Sequence, residues 1–317
     1  MRHRVVLVGG YGNIGRAVAE RLGDRSAELV IAGRDRVRAE ELAREVSGRA
    51  LTLDLADPAT WTLPTGGGVL LMCVDHRDAG FARAAIEQGY DYVDITASGP
   101  LIRELEELDG LARAAGRRAL LSVGFAPGLS NLLVAECGAA PGDVVHIGLR
   151  LGLGEVHGPA ALAWTLQAVD RDTAPRPVGA DGALGVRVGF ADQEIVARTL
   201  GVRAETTLTV ENSLWTRVLW WSAPLLLRWP RLGGLLGASA GLPWFSDRCG
   251  IQVVSGAREA RYEGRDEGSI TAMMAVFAID RVRSCDPGVH HIEQVARLAD
   301  VTDVLEAAGG RLTRSGR

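Results

Sequence analysis

Three glycines near the start of the chain have the spacing of a turn that binds a dinucleotide. Gly10, Gly12 and Gly15 follow the apolar run 5–8 and lead into a helical pattern over residues 16–22. Gly10 permits a tight turn, Gly12 lets a pyrophosphate approach the backbone, and Gly15 lets the helix pack against the strand. A purely structural glycine turn is the alternative. The predicted cofactor contacts here are Gly9, Gly10, Gly12, Asn13, Ile14 and Gly15.

The residues after the second predicted strand, 28–33, bear on which dinucleotide binds. An enzyme that prefers NAD usually has an acidic residue at this strand end, where it binds the ribose hydroxyls. Here the strand is followed by Arg34, whose guanidinium can pair with a 2′-phosphate. We therefore expect NADP(H) to be preferred, with Arg34 on the 2′-phosphate. NAD(H) stays possible because Asp35 could bind the ribose, and a solvated charged turn is a further alternative.

Two more predicted strands end in residues that we assign to the cofactor site. The strand over 50–54 ends in a position that often lies near the adenine, and the strand over 69–74 ends on the nicotinamide side. In a doubly wound sheet, ligands bind beyond the carboxyl ends of the strands. The residues assigned are Asp54, Cys73 and Val74.

A nicotinamide cofactor performs the hydride transfer itself, so the protein must orient it and exchange a proton. Candidates for the proton-exchanging group are His157, His76, Asp75, Asp94, Ser98 and Asn131. His157 and His76 are the first choices because imidazole exchanges protons near neutral pH. For each candidate, an ordinary polar loop residue is the alternative. The chain contains no lysine, which excludes a lysine base, a Schiff base and a Tyr-x-x-x-Lys mechanism.

The elements that must position these residues alternate along the chain. Predicted helices over 79–88 and 101–115 separate predicted strands over 69–74, 92–95 and 119–123. This alternation is the signature of an α/β fold with a parallel sheet, here a Rossmann-like, doubly wound one.

Four segments resemble the saccharopine dehydrogenase and reductase family. They are VGGYGNIG, AGRD, GYDYVDITAS at residues 89–98 and GFAPGLSNLL at residues 124–133. The resemblance covers about residues 1–135. PGVHHIEQV, at 287–295, resembles the family's return to its first domain, and GEVHGPAALAWTL, at 154–166, is loosely similar to another family segment.

The resemblance implies a Rossmann domain over 1–125 plus about 285–317, with an inserted α+β domain over about 126–284 for substrate binding and dimerisation. It also implies reduction of an imine formed from an amine and a carbonyl compound, or the reverse oxidation. We accordingly expect a small-molecule substrate and a homodimer.

Several elements of the second domain can be predicted from residue patterns. Strands are expected over 144–151, 186–190, 206–211 and 251–256, and a helix over 160–168. Residues 269–276 form either a strand or the start of a helix. The Pro- and Gly-rich stretch 172–185 is expected to be a loop.

Residues 214–245 contain five of the seven tryptophans. Arginines and prolines interrupt the segment, and its charge-free runs are shorter than the roughly 20 residues that a membrane span requires. It is interpreted as a hydrophobic wall or lid of the substrate cleft, which favours a rather apolar substrate. A dimer interface is the second interpretation, and contact with a membrane surface is the least favoured.

Composition excludes several other classes of protein. The net charge of −4 gives no indication of nucleic-acid binding. The four cysteines are widely spaced, so neither a metal site nor a disulfide framework is predicted. The chain enters a strand at once, with no signal peptide, and a cytoplasmic location is expected.

The leading hypothesis is an NADP(H)-dependent oxidoreductase that reduces a C=N or related double bond, with secondary metabolism as one setting. A non-redox cyclase or isomerase on the same fold is an alternative. A binding protein that senses NADP is another. Consumption of NADPH separates the first hypothesis from the other two.

Overall fold

The computed structural model describes residues 4–23, 28–154, 165–178, 182–228 and 245–316. The chain forms two compact units. The first comprises Met1–Gly124 and Thr271–Ala296, and the second comprises Phe125–Ile270 and Arg297–Arg317.

The first unit is built on a seven-stranded sheet in which all neighbours are parallel. Its strands are β1 Arg4–Val8, β2 Glu28–Gly33, β3 Arg49–Thr52, β4 Gly68–Met72, β5 Tyr90–Asp94, β6 Arg118–Leu121 and β13 Gly288–His291. The order β13-β6-β5-β4-β1-β2-β3 reverses direction between β1 and β4. This is the doubly wound arrangement with its switch point, so the predicted Rossmann-like fold is confirmed.

Helices accompany this sheet along the chain. They are Asn13–Gly23, Arg36–Glu45, Gly80–Glu87, Gly99–Glu106, Asp109–Ala114 and Ile292–Val295, with a 3₁₀ turn at Pro58–Thr60. Residues 5–8 of β1 are almost completely buried. A strand covered on both faces explains why its sequence is continuously apolar rather than alternating.

The second unit contains a mixed seven-stranded sheet, in the order β14-β12-β11-β7-β10-β9-β8. The strands are β7 Val144–Leu151, β8 Arg176–Val178, β9 Ala183–Val188, β10 Arg203–Val210, β11 Arg248–Ser255, β12 Arg258–Arg265 and β14 Arg311–Ser315. β7 and β10 are parallel, and the other neighbours are antiparallel. The helices are Leu129–Cys137, Ala191–Thr199, Ser213–Arg228 and Ala299–Ala307, and helix Glu267–Val282 runs from this unit into the first.

The predicted domain boundary near the C-terminus is wrong. Residues 297–317 belong to the second unit, because β14 forms an antiparallel ladder with β12. Residues 271–284 belong to the first unit instead of the second. The pairing of β14 depends on a partner strand about fifty residues earlier, and local patterns carry no signal for it.

Two local predictions are also corrected, and the choice between strand and helix for residues 269–276 is settled. The stretch 172–185 contains β8 and the start of β9, and Pro177 is tolerated there because β8 is an edge strand. The strand predicted over 186–190 ends at Val188, since a helix follows directly. Residues 269–276 are helical, and of the helix predicted over 160–168 only 165–168 are described, as helix.

Candidate functional site

The glycine turn has the shape that a bound pyrophosphate requires. Gly9 has φ +76°, and a Cβ added there would lie 2.1 Å from Cγ1 of Val74. A Cβ at Gly15 would lie 2.5 Å from the Gly9 carbonyl oxygen, so only glycine permits this helix to start so close to the turn. A Cβ at Gly12 would meet only the Gly9 oxygen, at 3.2 Å. The turn is therefore compact on its inner side and open at Gly12.

Helix Asn13–Gly23 begins within this turn. The amide of Gly12 donates to the Gly9 carbonyl (2.9 Å), and the amide of Arg16 donates to the Gly12 carbonyl (2.8 Å). The first amides of a helix, here those of Asn13, Ile14 and Gly15, have no acceptor within the helix itself, and they lie at the positive end of its dipole. This arrangement fits the phosphates of a dinucleotide.

The end of β2 presents an aromatic ring and several arginines. The Tyr11 ring leaves no space for a Cβ on Gly33, and its hydroxyl accepts a hydrogen bond from the Asp35 amide (3.0 Å). The Arg38 guanidinium lies 4.7 Å from the centroid of the Tyr11 ring. The Asp35 carboxylate accepts from the Arg38 amide (3.1 Å) and so caps the next helix. The capping bond uses one of the two carboxylate oxygens of Asp35.

Arg34 differs from its neighbour Arg36. Arg36 is paired with Glu40 at 2.6 Å. Arg34 is exposed, and its side chain makes no hydrogen bond or ion pair with the described residues. Its guanidinium is therefore available for a phosphate.

A buried polar cluster lies at the carboxyl ends of β4 and β5. We call His76, Tyr92 and Asp94 the strand-end cluster. Oδ2 of Asp94 accepts a hydrogen bond from the Tyr92 hydroxyl (2.6 Å) and lies 2.8 Å from Nε2 of His76. Oδ1 accepts from the Thr96 amide (2.8 Å). The side chains of His76 and Asp94 are only 3% and 1% exposed, so the carboxylate relies on these partners in place of water.

The strand-end cluster favours a charged imidazole. Nδ1 of His76 lies 2.9 Å from the Asp78 carbonyl oxygen, and Nε2 faces the Asp94 carboxylate. Both neighbours are acceptors, so both ring nitrogens must carry a proton to bond them. Burial lowers the pKa of His76, but the hydrogen bond and charge of Asp94 outweigh it, and the pKa is raised. Burial, with the charge of Asp94 beside it, raises the pKa of the Tyr92 hydroxyl well above its usual value.

The residues before His76 connect the cluster to the glycine turn. Cys73 donates its amide to the Val8 carbonyl (2.9 Å), and Val74 packs on Gly9. Burial raises the pKa of the Cys73 thiol, which disfavours a thiolate. Asp75 is exposed as a residue, but its carboxyl group is partly desolvated, and this desolvation raises its pKa. It is an accessible carboxyl group beside the buried cation of His76.

The other predicted site residues lie elsewhere. Asp54 follows β3, and its carboxylate accepts from the Ala56 amide (3.0 Å). Ser98 precedes helix Gly99–Glu106, and no described hydrogen bond joins it to the strand-end cluster. Asn131 belongs to the second unit, where it is buried and accepts from the Gly128 amide (3.3 Å). His157 lies outside the described residues.

Sequence reasoning missed Tyr92 and Tyr11. Tyr92 and Asp94 stand two positions apart on β5, which puts both side chains on the same face of the sheet. That spacing was the available signal for Tyr92. For Tyr11 no signal existed, because its contacts with Gly33 and Arg38 depend on how β1 and β2 pair.

Two findings concern the described residues only. Among residues 4–316, apart from the gaps given above, no group of three or more His, Cys, Asp or Glu side chains could hold a metal ion. In the same part of the chain, no helix combines the length and apolar character needed to cross a membrane.

Residues 5–120 match the family model of the saccharopine dehydrogenase NADP binding domain. This match confirms the resemblance seen in the sequence and the predicted preference for NADP. No curated protein has a sequence that matches this chain.

Several solved structures are similar to this chain, and the first of those named here shares its fold. Saccharopine dehydrogenase (L-Glu forming) from Saccharomyces cerevisiae is 13% identical, with 99% of each chain covered and a TM-score of 0.63. GenD2 from gentamicin A biosynthesis, in complex with NAD, is 17% identical over 100% of this chain and 97% of that chain, with a TM-score of 0.47. UDP-N-acetylglucosamine 3-dehydrogenase from Acidithiobacillus ferrooxidans is 12% identical over 97% of this chain and 96% of that chain, with a TM-score of 0.45.

Proposed function

We propose that the protein is an NADP(H)-dependent oxidoreductase, because residues 5–120 match the family model of the saccharopine dehydrogenase NADP binding domain. Its reaction is the reduction of a C=N bond, or a related double bond, in a fairly apolar substrate. The cofactor supplies the hydride when bound. The protein binds and orients it and exchanges one proton with the substrate.

The observation that carries this proposal is the position of Asp75 and the strand-end cluster. They follow Val74, whose side chain packs on the glycine turn, and they lie at the carboxyl ends of β4 and β5. That edge of a doubly wound sheet is where ligands bind. A proton-exchanging group at this place therefore stands beside the dinucleotide site.

We assign proton exchange to Asp75 and a positioning role to His76. Both ring nitrogens of His76 already bond protein acceptors, and its side chain is only 3% exposed. The Asp75 carboxyl is accessible, and its desolvation raises its pKa, which keeps a proton on it at higher pH. The buried imidazolium of His76 holds the loop that carries Asp75.

Arg34 is assigned to the 2′-phosphate of the cofactor. It is the arginine after β2 that lacks a partner among the described residues, whereas Arg36 is paired with Glu40. The Tyr11 ring and the Arg38 guanidinium stacked on it form a platform beside it.

Cofactor binding is tested by titrating the protein with NADPH and NADH and following tryptophan fluorescence. We expect NADPH to bind more tightly. Arg34→Ala should weaken NADPH binding by about tenfold to a hundredfold, the cost of a charge-assisted bond to phosphate, and leave NADH unchanged. Arg44→Ala, an exposed arginine at the end of helix Arg36–Glu45, is the matched control. Equal binding of the two nucleotides by the wild type would exclude this role of Arg34.

The proton-exchanging group is tested with NADPH and a panel of imines of increasing apolar size. In the wild type, kcat should fall as the pH rises above the pKa of Asp75, because the acid form is then lost. Asp75→Asn should lower kcat by about a hundredfold and remove this part of the pH profile. If NADPH binds but is not consumed with any imine, the protein is a binding protein or a non-redox enzyme.

A further inference from the structure

Helix Ser213–Arg228 packs on the second unit through one face. The side chains of Thr216, Ala223 and Leu226 are buried on this face. The Thr216 hydroxyl donates to the Val210 carbonyl (3.2 Å) and accepts from the Val210 amide (3.0 Å). The helix is thereby attached to the end of β10, and this packing uses one side of it only.

The opposite side is apolar and exposed. Its side chains are spaced by four, three and four positions, so they form one stripe along the helix. The exposed fractions are 66% for Leu214, 41% for Val218, 73% for Trp221 and 49% for Leu225. The outward side of a helix in a globular unit is usually polar. We call these four residues the apolar stripe.

The charged side chains on the helix itself are both arginines. Arg217 and Arg228 are exposed on the same helix, and residues 213–228 contain no aspartate or glutamate. The guanidinium of Arg171 lies 4.7 Å from the centroid of the Trp220 ring, but Asp170 and Asp172 flank it in the chain, so we count only the two arginines of the helix as cations of this surface. The surface combines exposed hydrophobic side chains with arginines and lacks a counter-charge on the helix.

We propose that this helix binds the surface of an anionic lipid membrane. A helix that lies in the interface buries an apolar face among the acyl chains while its basic residues meet anionic headgroups. Tryptophan favours this depth because its ring is apolar and its N–H is polar. The helix has sixteen residues, two of them arginine, and so it lies on the membrane without crossing it.

A second copy of the chain fits this surface less well. Pairing two apolar stripes would bring four arginines together, two from each helix, and the helix offers no carboxylate to neutralise them. Like charges across an interface oppose association, whereas anionic headgroups supply the missing negative charge. Charge complementarity therefore favours lipid. This inference does not rest on the proposed function.

The test is flotation of the full chain with two kinds of vesicle. One is phosphatidylcholine alone, and the other is phosphatidylcholine with phosphatidylglycerol in a ratio of about three to one. We expect the protein to float with the anionic vesicles and much less with the neutral ones. Trp221→Ser with Leu225→Ser should reduce the bound fraction by at least about tenfold. Arg217→Gln with Arg228→Gln should reduce it by about fivefold for each arginine.

Matched controls distinguish binding by the apolar stripe from nonspecific binding by other exposed side chains. Val37→Ser with Val304→Ser removes two other exposed apolar side chains, and Arg44→Gln with Arg283→Gln removes two other exposed arginines. Both should leave flotation unchanged, and circular dichroism should show that every variant is folded. The proposal is overturned if no vesicle binds or if the controls lose binding as much as the stripe variants do. It is also overturned if light scattering shows a dimer that Trp221→Ser with Leu225→Ser converts to a monomer, because a second copy then covers the stripe.

Discussion

Asp94 of the first unit and Asp192 of the second unit are the most deeply buried aspartates among the described residues, and their carboxylates have different surroundings. Asp94 of the first unit is 1% exposed and bonds the Tyr92 hydroxyl, the Thr96 amide and the imidazole of His76. Asp192 of the second unit is 0% exposed, and its Oδ1 accepts a long bond of 3.3 Å from the Thr206 hydroxyl. Its Oδ2 has no hydrogen-bond partner among the described residues.

The difference shows that burial alone does not decide what a carboxylate does. Asp94 lies 2.8 Å from the imidazole of His76, so removing its carboxylate leaves a buried charge without its partner. Burial raises the pKa of Asp192 to about 6, although hydrogen bonds from Thr206, Ser130 and the Gln193 amide act in the opposite direction. Asp192 is therefore ionised at neutral pH at the expense of stability.

Removing the charge of Asp94 should have the largest effect. Asp94→Asn leaves the His76 imidazolium buried without its counter-ion, and we expect the free energy of unfolding to fall by about 3–5 kcal/mol. Urea unfolding at neutral pH measures this change. Glu87→Gln, at an exposed position of the same unit, is the control and should change little. A loss of stability no greater than that of the control would show that the strand-end cluster is not charged.

Removing the charge of Asp192 should change the free energy of unfolding in the opposite direction and stabilise the protein. Its pKa is raised from 3.8 when unfolded to about 6 when folded. The stability from this group is complete below pH 3.8 and is lost as the pH rises through 6. Asp192→Asn should therefore raise the free energy of unfolding by about 2–3 kcal/mol at pH 7.5 relative to the wild type.

At pH 3.5 the Asp192→Asn variant and the wild type should be nearly equal in stability, because the aspartate is then protonated in the folded state and mostly protonated in the unfolded state. Asp303→Asn, on the surface of the same unit, should show no such pH dependence. A destabilised Asp192→Asn at pH 7.5 would mean that the hydrogen bonds from Thr206, Ser130 and the Gln193 amide stabilise the carboxylate by more than its burial costs.

A smaller loss is expected from Tyr92→Phe. The variant deletes the 2.6 Å hydrogen bond to Oδ2 of Asp94 but leaves His76 in place, so unfolding should become easier by about 1.5–2 kcal/mol. In the Asp94→Asn background the same change should cost less, and a double-mutant cycle measures this coupling. If the effects of the two substitutions on the free energy of unfolding are fully additive, Tyr92 and Asp94 do not act in one hydrogen-bond network.

The smallest expected effect is on the rate at which the free energy of unfolding changes with pH. The folded pKa of His76 is raised, so its contribution is complete below about pH 6.5 and is lost as the pH rises through the folded pKa. One proton changes the slope by at most about 1.4 kcal/mol per pH unit. His76→Gln should remove this slope above pH 6.5 and retain the one that Asp192 causes below pH 6. If the slope above pH 6.5 is the same in His76→Gln as in the wild type, another titrating group causes it.

The sequence predicted those parts of the site that depend on neighbouring residues. The glycine turn, the first helix and Arg34 after β2 all follow from the order of residues in one β-α-β segment. The rule that ligands bind beyond the carboxyl ends of parallel strands also predicted that Asp75, His76 and Asp94 lie at one edge of the sheet. It did not show that Nε2 of His76 meets the carboxylate that Tyr92 also bonds, because this contact joins the loop after β4 to the end of β5.

Two features of the second unit had no local signal. Asp192 is an ordinary acidic residue in the first turn of a helix, and only the packing of that helix on β10 removes it from water. The apolar stripe lies within a Trp-rich segment that the sequence marks as unusual, but the sequence does not say which side of the helix is covered.

The sequence by itself determined the parallel α/β unit and its dinucleotide turn, since strand periodicity and glycine conformation act over a few residues. The tertiary structure alone decided that β14 joins the second sheet and that the apolar stripe faces outward. It also decided that Asp94 lies beside His76, whereas Oδ2 of Asp192 has no hydrogen-bond partner among the described residues. Each of these depends on burial and on partners far away in the chain, and the free energy of a buried charge or an exposed apolar side chain is set by those partners.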